Sequence, residues 1–109
     1  MATYFKNKVV REVGLTPSTI VSTNGTTRLT IIGLSLANLT DEQITASITV
    51  TDDTGTTGYY AKDIEIPPQT SLRAVNGGEK LIIAPSNSLE ISANQEYAID
   101  VIASYVEIV

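Results

Sequence analysis

The chain has 109 residues, the length of one ordinary domain, and its 42% hydrophobic and 17% charged side chains favour a folded protein over a disordered one. Because it has no cysteine and no histidine, disulfides, thiolate or imidazole metal sites, cysteine nucleophiles and Ser-His-Asp triads are all excluded. A net charge of −5 argues against a surface that binds nucleic-acid phosphates.

The predicted elements are all strands. Threonine, valine and isoleucine are abundant, and no window has the apolar spacing of an amphipathic helix. The clearest strand is 44–51, in which Ile44, Ala46, Ile48 and Val50 alternate with threonine and serine. In chain order we predict about eight strands, at 4–13, 19–23, 28–37, 44–52, 59–66, 71–75, the pair 80–84 and 89–93, and 97–109.

The turns between these strands are marked by glycine, asparagine and proline. Thr23-Asn24-Gly25 and Asn76-Gly77-Gly78 predict hairpins, and Pro67-Pro68 ends a strand. The alternation within 28–37 changes phase at Gly33, which predicts a β-bulge. The spacing of the turns predicts a single antiparallel β-sandwich over residues 1–109, and leaves both a jelly roll and another Greek-key order open.

Two acidic groups are candidates for chemistry. Asp52-Asp53-Thr54-Gly55 could be a calcium loop, but an acidic turn between strands explains the same residues, and we favour the turn. Asp63 and Glu65, with Glu79 and Glu90, could supply the carboxylate pair of a glycosidase. Asp63 and Glu65 alternate with isoleucines, which favours a solvated outer row. We therefore predict no catalytic residue, no metal and no cofactor.

Other residues are candidates for contacts between subunits. Tyr59 and Tyr60, with Arg73, could form a ligand platform, or one tyrosine could be buried and the other exposed; of the two binding roles we favour a subunit contact. Lys6 and Lys8 share a face of the first strand, where they either protect an exposed edge by their charge or dock an acidic partner.

The last strand carries apolar residues on both faces, which predicts a central strand between two layers or one whose far face is covered by a neighbouring subunit. The predicted subunit interface is Lys6, Lys8, Tyr60, Arg73, Tyr97, Tyr105, Val106 and Ile108.

Nearly the whole chain resembles a group of small virion proteins of tailed bacteriophages, particularly phages of aquatic hosts. The residues that carry the resemblance include Leu15 to Val21, Thr30 to Thr40, Ile44 to Thr51, Ile66 to Leu72 and Ile99 to Ile108. The resemblance implies a non-enzymatic structural protein, used for capsid decoration (cement) or in the neck or tail. It also implies a homo-oligomer whose partners are other virion proteins: major capsid, portal or neck, and tail proteins.

Two other functions were weighed. A carbohydrate-binding module would need a row of exposed aromatic residues, but the chain has no tryptophan, one phenylalanine and five tyrosines. A small enzyme would need a metal at Asp52 and Asp53.

Residues 1–6 lack the apolar core of a signal peptide, and no stretch approaches the ~20 apolar residues of a membrane span. We therefore expect synthesis in a cytoplasm and no membrane partner, and we expect no nucleic-acid or small-molecule partner either. The resemblance implies that this cytoplasm is the host's and that the protein resides in the virion.

Overall fold

The fold was analysed in a computed structural model, which describes residues 2–75 and 79–109. Over these ranges the chain forms strands and no helix, as the alternating pattern predicted. The nine strands are β1 (Thr3–Val13), β2 (Ser18–Ser22), β3 (Arg28–Asn38), β4 (Ile44–Thr51), β5 (Thr57–Ile66), β6 (Ser71–Val75), β7 (Leu81–Ile83), β8 (Ser88–Ala93) and β9 (Ile99–Ile108). The hairpin predicted at Asn76-Gly77-Gly78 lies outside the described residues.

The strands form two antiparallel sheets packed face to face. One sheet has five strands in the order β1-β9-β3-β6, with β7 also paired to β3, and the other has four in the order β2-β8-β4-β5. Strands β4 and β5 pair with each other, and strands progressively further from their turn along the chain also pair. This nesting joins β3 to β6 and β7, β2 to β8, and β1 to β9. This nesting is the strand order of a jelly roll. The predicted sandwich is thus confirmed. The sequence left two strand orders open, a jelly roll and another Greek key, and the structure has the order of a jelly roll.

Two predicted local pairings are wrong. Segments 80–84 and 89–93 do not pair with each other, because β7 pairs with β3 in the five-stranded sheet while β8 lies between β2 and β4 in the other. Thr23-Asn24-Gly25 is not a hairpin either, since it connects β2 to β3 across the two sheets. Its Asn24 side chain instead accepts a hydrogen bond from the Thr26 amide at 2.9 Å. Turn-forming residues show that the chain changes direction, but not which strands pair.

The core lies between the sheets and follows the predicted alternation. Ile44, Ala46 and Ile48 of β4 are buried, and they face buried leucines and isoleucines of β3. In β3 the pairing with β9 shifts between Ile31 and Gly33, so the predicted bulge is confirmed. This bulge turns Leu34 and Leu36 back into the core, where both are 1% exposed or less.

Strand β9 is central within its sheet, but it does not lie between two layers of one chain, which was one of the two predicted arrangements. It pairs with β1 on one side and with β3 on the other over almost its full length. Ile99, Val101 and Ala103 are fully buried on the core side. On the opposite side Ile102 is 47% exposed. Within one copy, therefore, only one face of β9 is covered.

Candidate interaction surface

The side of the five-stranded sheet that faces away from the core, called the outer face below, is built from aligned rows of side chains. Because residues directly opposite each other in antiparallel strands project to the same side, the registers define each row. One row runs Phe5, Val106, Thr30 and Ile82 across β1, β9, β3 and β7. A second row runs Val9, Ile102, Ser35 and Arg73 across β1, β9, β3 and β6.

The outer face exposes large apolar side chains from four of its strands. Phe5 is 81% exposed, Ile82 64%, Val9 56%, Ile102 47% and Ile32 40%. Val106 and Ile108 lie among them and are partly buried by their neighbours. Monomeric soluble proteins rarely expose several large apolar side chains next to one another. A patch of this kind therefore indicates an interaction surface.

The β3 bulge creates a depression in the outer face. Gly33 has no side chain and lies in register with the small residue Ser104 of β9. The resulting hollow has a volume of about 330 Å³, and Ile32, Ser35, Arg73 and Ile102 form much of its wall. It therefore offers apolar and cationic groups side by side.

Two arginines, Arg28 and Arg73, lie on the outer face of a chain whose net charge is −5. Arg28 is in the same register row as Ile108, and Arg73 is in the row of Ile102. Neither arginine forms an ion pair with any residue in 2–75 or 79–109, whereas Arg11 lies 3.2 Å from Glu12. Asp100 is the carboxylate on this face, and it accepts a hydrogen bond from the Glu12 amide at 2.9 Å.

The opposite surface of the sandwich, on the four-stranded sheet, has a different chemistry. Its outward residues on β4 and β8 are threonines, serines and Glu90. The Glu90 carboxylate accepts hydrogen bonds from Thr49 and Thr51, both at 3.3 Å, and from Ser88. Hydroxyl groups of β4 and β8 thus bond to the Glu90 carboxylate, and the outward positions of these two strands carry no large aliphatic side chain.

The eight residues predicted for the interface do not form one surface. Arg73, Val106 and Ile108 lie on the outer face. Lys6, Lys8 and Tyr105 lie on the core side of the same sheet, where β1 extends past β2.

Lys6 is already paired within the chain. Its Nζ lies 2.5 Å from a Glu107 carboxylate oxygen, and this hydrogen bond raises the pKa of Lys6. Tyr105, opposite Lys6 in the register, packs against the core. Lys8 is exposed beside a shallow groove between β1 and β2. These residues hold the end of the sheet together.

Tyr60 and Tyr97 lie elsewhere. The Tyr60 hydroxyl donates to Glu79 at 3.4 Å, and burial, together with the Glu79 charge, raises the pKa of Tyr60. Tyr97 is 68% exposed between β8 and β9. The expectation that either Tyr59 or Tyr60 is buried is wrong, because they are 60% and 38% exposed. Shifts in the β4–β5 register between Ala46 and Thr49 break the alternation there.

Two of the acidic candidates, Asp52 and Asp63, accept hydrogen bonds from nearby residues. The Asp52 carboxylate accepts hydrogen bonds from the Thr54 and Thr56 amides at 2.9 and 3.0 Å and from the Thr54 hydroxyl at 2.6 Å, which lowers its pKa. It therefore organises the β4–β5 turn. Asp63 and Glu65 are exposed, and Asp63 accepts a hydrogen bond from Ser47 at 3.3 Å. In the ranges 2–75 and 79–109 no three acidic, histidine or cysteine residues are grouped so as to hold a metal ion.

The residues that sequence reasoning missed are the exposed apolar residues of the outer face: Phe5, Val9, Ile32, Ile82 and Ile102. Two signals pointed to them. Phe5 and Val9 alternate with Lys6 and Lys8, so they must share the opposite face of β1. The run Leu81-Ile82-Ile83 also forces one isoleucine outward.

Comparison with known proteins shows the fold. No family model and no curated protein matches the chain. It is similar to a solved structure of disulfide-linked pili that form Bacillus endospore appendages, with 8% identity, a TM-score of 0.57, and coverage of 96% of this chain and 86% of that one.

It is also similar to a chain of the T13 viral particle of IBDV (15% identity, TM-score 0.55), covering 96% of this chain but 30% of that one. A pentameric capsid protein from metagenomic phage sequences gives 19% identity and a TM-score of 0.42, covering 92% of this chain and 60% of that one. The described residues contain no helix long and apolar enough to span a membrane.

Proposed function

We propose that this protein is a non-enzymatic structural protein of a tailed-phage virion, a capsid-decorating (cement) or head-to-tail neck component that assembles as a homo-oligomer and stabilises the particle. The observation that carries the proposal is a jelly-roll subunit whose five-stranded sheet leaves an apolar face uncovered. The sequence resemblance to small virion proteins supports the same role.

The physical mechanism is burial of the outer face between subunits. Removing apolar surface from water stabilises a contact by roughly 25 cal/mol per Å², and a stable protein interface buries about 1,600 Å² in total. Phe5, Val9, Ile82 and Ile102 would supply the apolar centre, and Arg73, Val106 and Ile108 its surroundings. Lys6, Lys8, Tyr60, Tyr97 and Tyr105 would make secondary contacts away from the outer face.

The similar structures support an assembling subunit, since one is a pilus and another a viral particle. The pili are described as disulfide-linked. This chain has no cysteine, so disulfides cannot link its copies, and the contact proposed here is non-covalent. Jelly rolls also occur in lectins, but the outer face here is mainly aliphatic, which suits protein contact better than the stacking of sugar rings.

The experiment is quantitative peptide mass spectrometry of density-purified phage particles from the virus that encodes the chain, after a high-salt wash. We expect the protein to remain with the particles. A copy number close to that of the major capsid protein indicates decoration, and about six or twelve copies indicates a neck ring. Presence in the infected-cell lysate together with absence from washed particles would overturn the proposal.

A further inference from the structure

The outer face has a complementary surface at β5, the edge strand of the four-stranded sheet. We infer that it binds the β5 edge of a second copy, so that each subunit contacts the next through two different surfaces. This inference rests on the proposed assembly of identical copies, and it names the two surfaces that meet.

The β5 edge combines aromatic and acidic side chains. Tyr59 and Tyr60 are both exposed, and Asp63 and Glu65 follow them on the same strand. The Lys62 Nζ lies over the Tyr59 ring, 5.1 Å from its centroid. The exposed aromatic rings are therefore bordered by carboxylates within a single edge strand.

The β5 edge is also poorly suited to extending the sheet by strand pairing. Its register with β4 shifts twice, and Asp63 has a positive φ of 50°. Bulges of this kind interrupt the regular row of backbone donors and acceptors that another strand would need. A partner of β5 therefore meets mainly its side chains.

The outer face supplies the matching groups. The guanidinium groups of Arg28 and Arg73 form no ion pair within the described ranges 2–75 and 79–109, and they can pair with the carboxylates of β5. The hollow of about 330 Å³ beside Arg73 and Ile102 offers an apolar and cationic site for a tyrosine ring. The arginines of the outer face can thus pair with the carboxylates of the β5 edge, and the hollow can receive an exposed tyrosine ring of that edge.

Two outer faces in contact with each other would not have complementary charges. A two-fold contact brings a surface against its own copy, so two faces that each carry Arg28 and Arg73 would meet with Asp100 as their carboxylate. Like charges brought together in an interface cost several kcal/mol, as an order of magnitude. The contact inferred here uses different surfaces, and repeated copies of it close into a ring or extend as a filament.

The test is charge reversal on each side of the contact, read by light-scattering mass and by the dissociation constant in sedimentation. Arg73→Glu and Glu65→Arg are each expected to weaken association about tenfold or more, equivalent to about 1.4 kcal/mol or more. Arg73→Lys, which keeps the charge, is the matched control and should retain most of the association. Both reversed residues are exposed, so folding is checked by thermal unfolding of each variant.

Mixing the two reversed variants in equal amounts is the decisive step. Each variant keeps one surface unchanged, so the native contact forms between them, and the two reversed charges attract at the other contact. We expect the mixture to recover the wild-type mass. A wild type that assembles but is insensitive to both reversals, or a mixture of weakened variants that does not recover, overturns the inference and leaves the proposed function standing. A wild type that is monomeric at every concentration overturns the inference together with the proposed homo-oligomer.

Discussion

Asn38 shows how one polar side chain can hold the two sheets together. It is 3% exposed at the end of β3, and its Nδ2 donates to the carbonyls of Glu42, Ile66 and Pro67 at 2.8, 3.1 and 3.0 Å. Its Oδ1 accepts from the Thr40 amide at 2.8 Å. Because Ile66 ends the edge strand β5 of the four-stranded sheet, Asn38 joins β3 of one sheet to β5 of the other at one end of the sandwich.

Replacing Asn38 by alanine is therefore expected to lower the free energy of unfolding by about 2–3 kcal/mol, since buried partners lose their hydrogen bonds. The matched control is Asn24→Ala, which removes an exposed side chain that bonds to Thr26 at 2.9 Å. That change is expected to cost about 0.5 kcal/mol. Urea unfolding of the two variants measures both values, and equal losses would contradict the role given to Asn38.

At the level of the element, the β4–β5 hairpin depends on the charge of Asp52. Its pKa is lowered below 3.8 in the folded chain, first by the Thr54 hydroxyl and then by the Thr56 and Thr54 amides. A lowered pKa means that the stabilisation is present above the unfolded value of 3.8 and is lost as the pH falls through the folded value.

We therefore expect the Asp52 carboxyl to titrate below pH 3.8 in an NMR pH series, with loss of exchange protection at the Thr54 and Thr56 amides over the same range. Asp52→Asn keeps an acceptor oxygen but does not titrate, so its hairpin should show no such acid transition. Titration of Asp52 above pH 3.8 would show that the turn does not stabilise the charge.

The elements themselves were largely predictable, and their pairing was not. Alternation located β4 and the inward residues of β3, because each strand buries one face, and Gly33 revealed its bulge through a change of phase. The pairing of β7 with β3, and of β8 with β2 and β4, joins distant parts of the chain through the nested order of a jelly roll. Alternation along one strand carries no information about which distant strand lies beside it.

The same reasoning explains which interface residues were found. Val106 and Ile108 stood out because β9 is apolar on both faces, and they lie on the outer face. Phe5 and Ile82 join that face only through the registers of β1 with β9 and of β7 with β3. Tyr60 and Arg73, predicted as neighbours, lie on different sheets, and the inferred contact brings these surfaces together between copies.

For the molecule as a whole, the outer surfaces of the two sheets differ in chemistry. The four-stranded sheet carries a hydroxyl-rich outer surface centred on Glu90, and the five-stranded sheet carries the apolar, arginine-bordered outer face. A subunit with two chemically different surfaces is suited to directional, repeated assembly. The central claim is that assembly buries the outer face.

The solution mass of the purified chain over a concentration series, for the wild type and for Ile102→Asp, tests that claim most directly. Ile102 points outward and is 47% exposed, so the substitution should leave the fold intact while placing a charge in the contact. Ser22→Asp, on exposed β2 of the other sheet, is the control.

We predict that the wild type and Ser22→Asp form the same oligomer and that Ile102→Asp is a folded monomer. A trimer would favour capsid decoration, and a ring of about six or twelve copies would favour the neck. A wild type that stays monomeric throughout, or an oligomer that Ile102→Asp leaves unchanged, would contradict burial of the outer face.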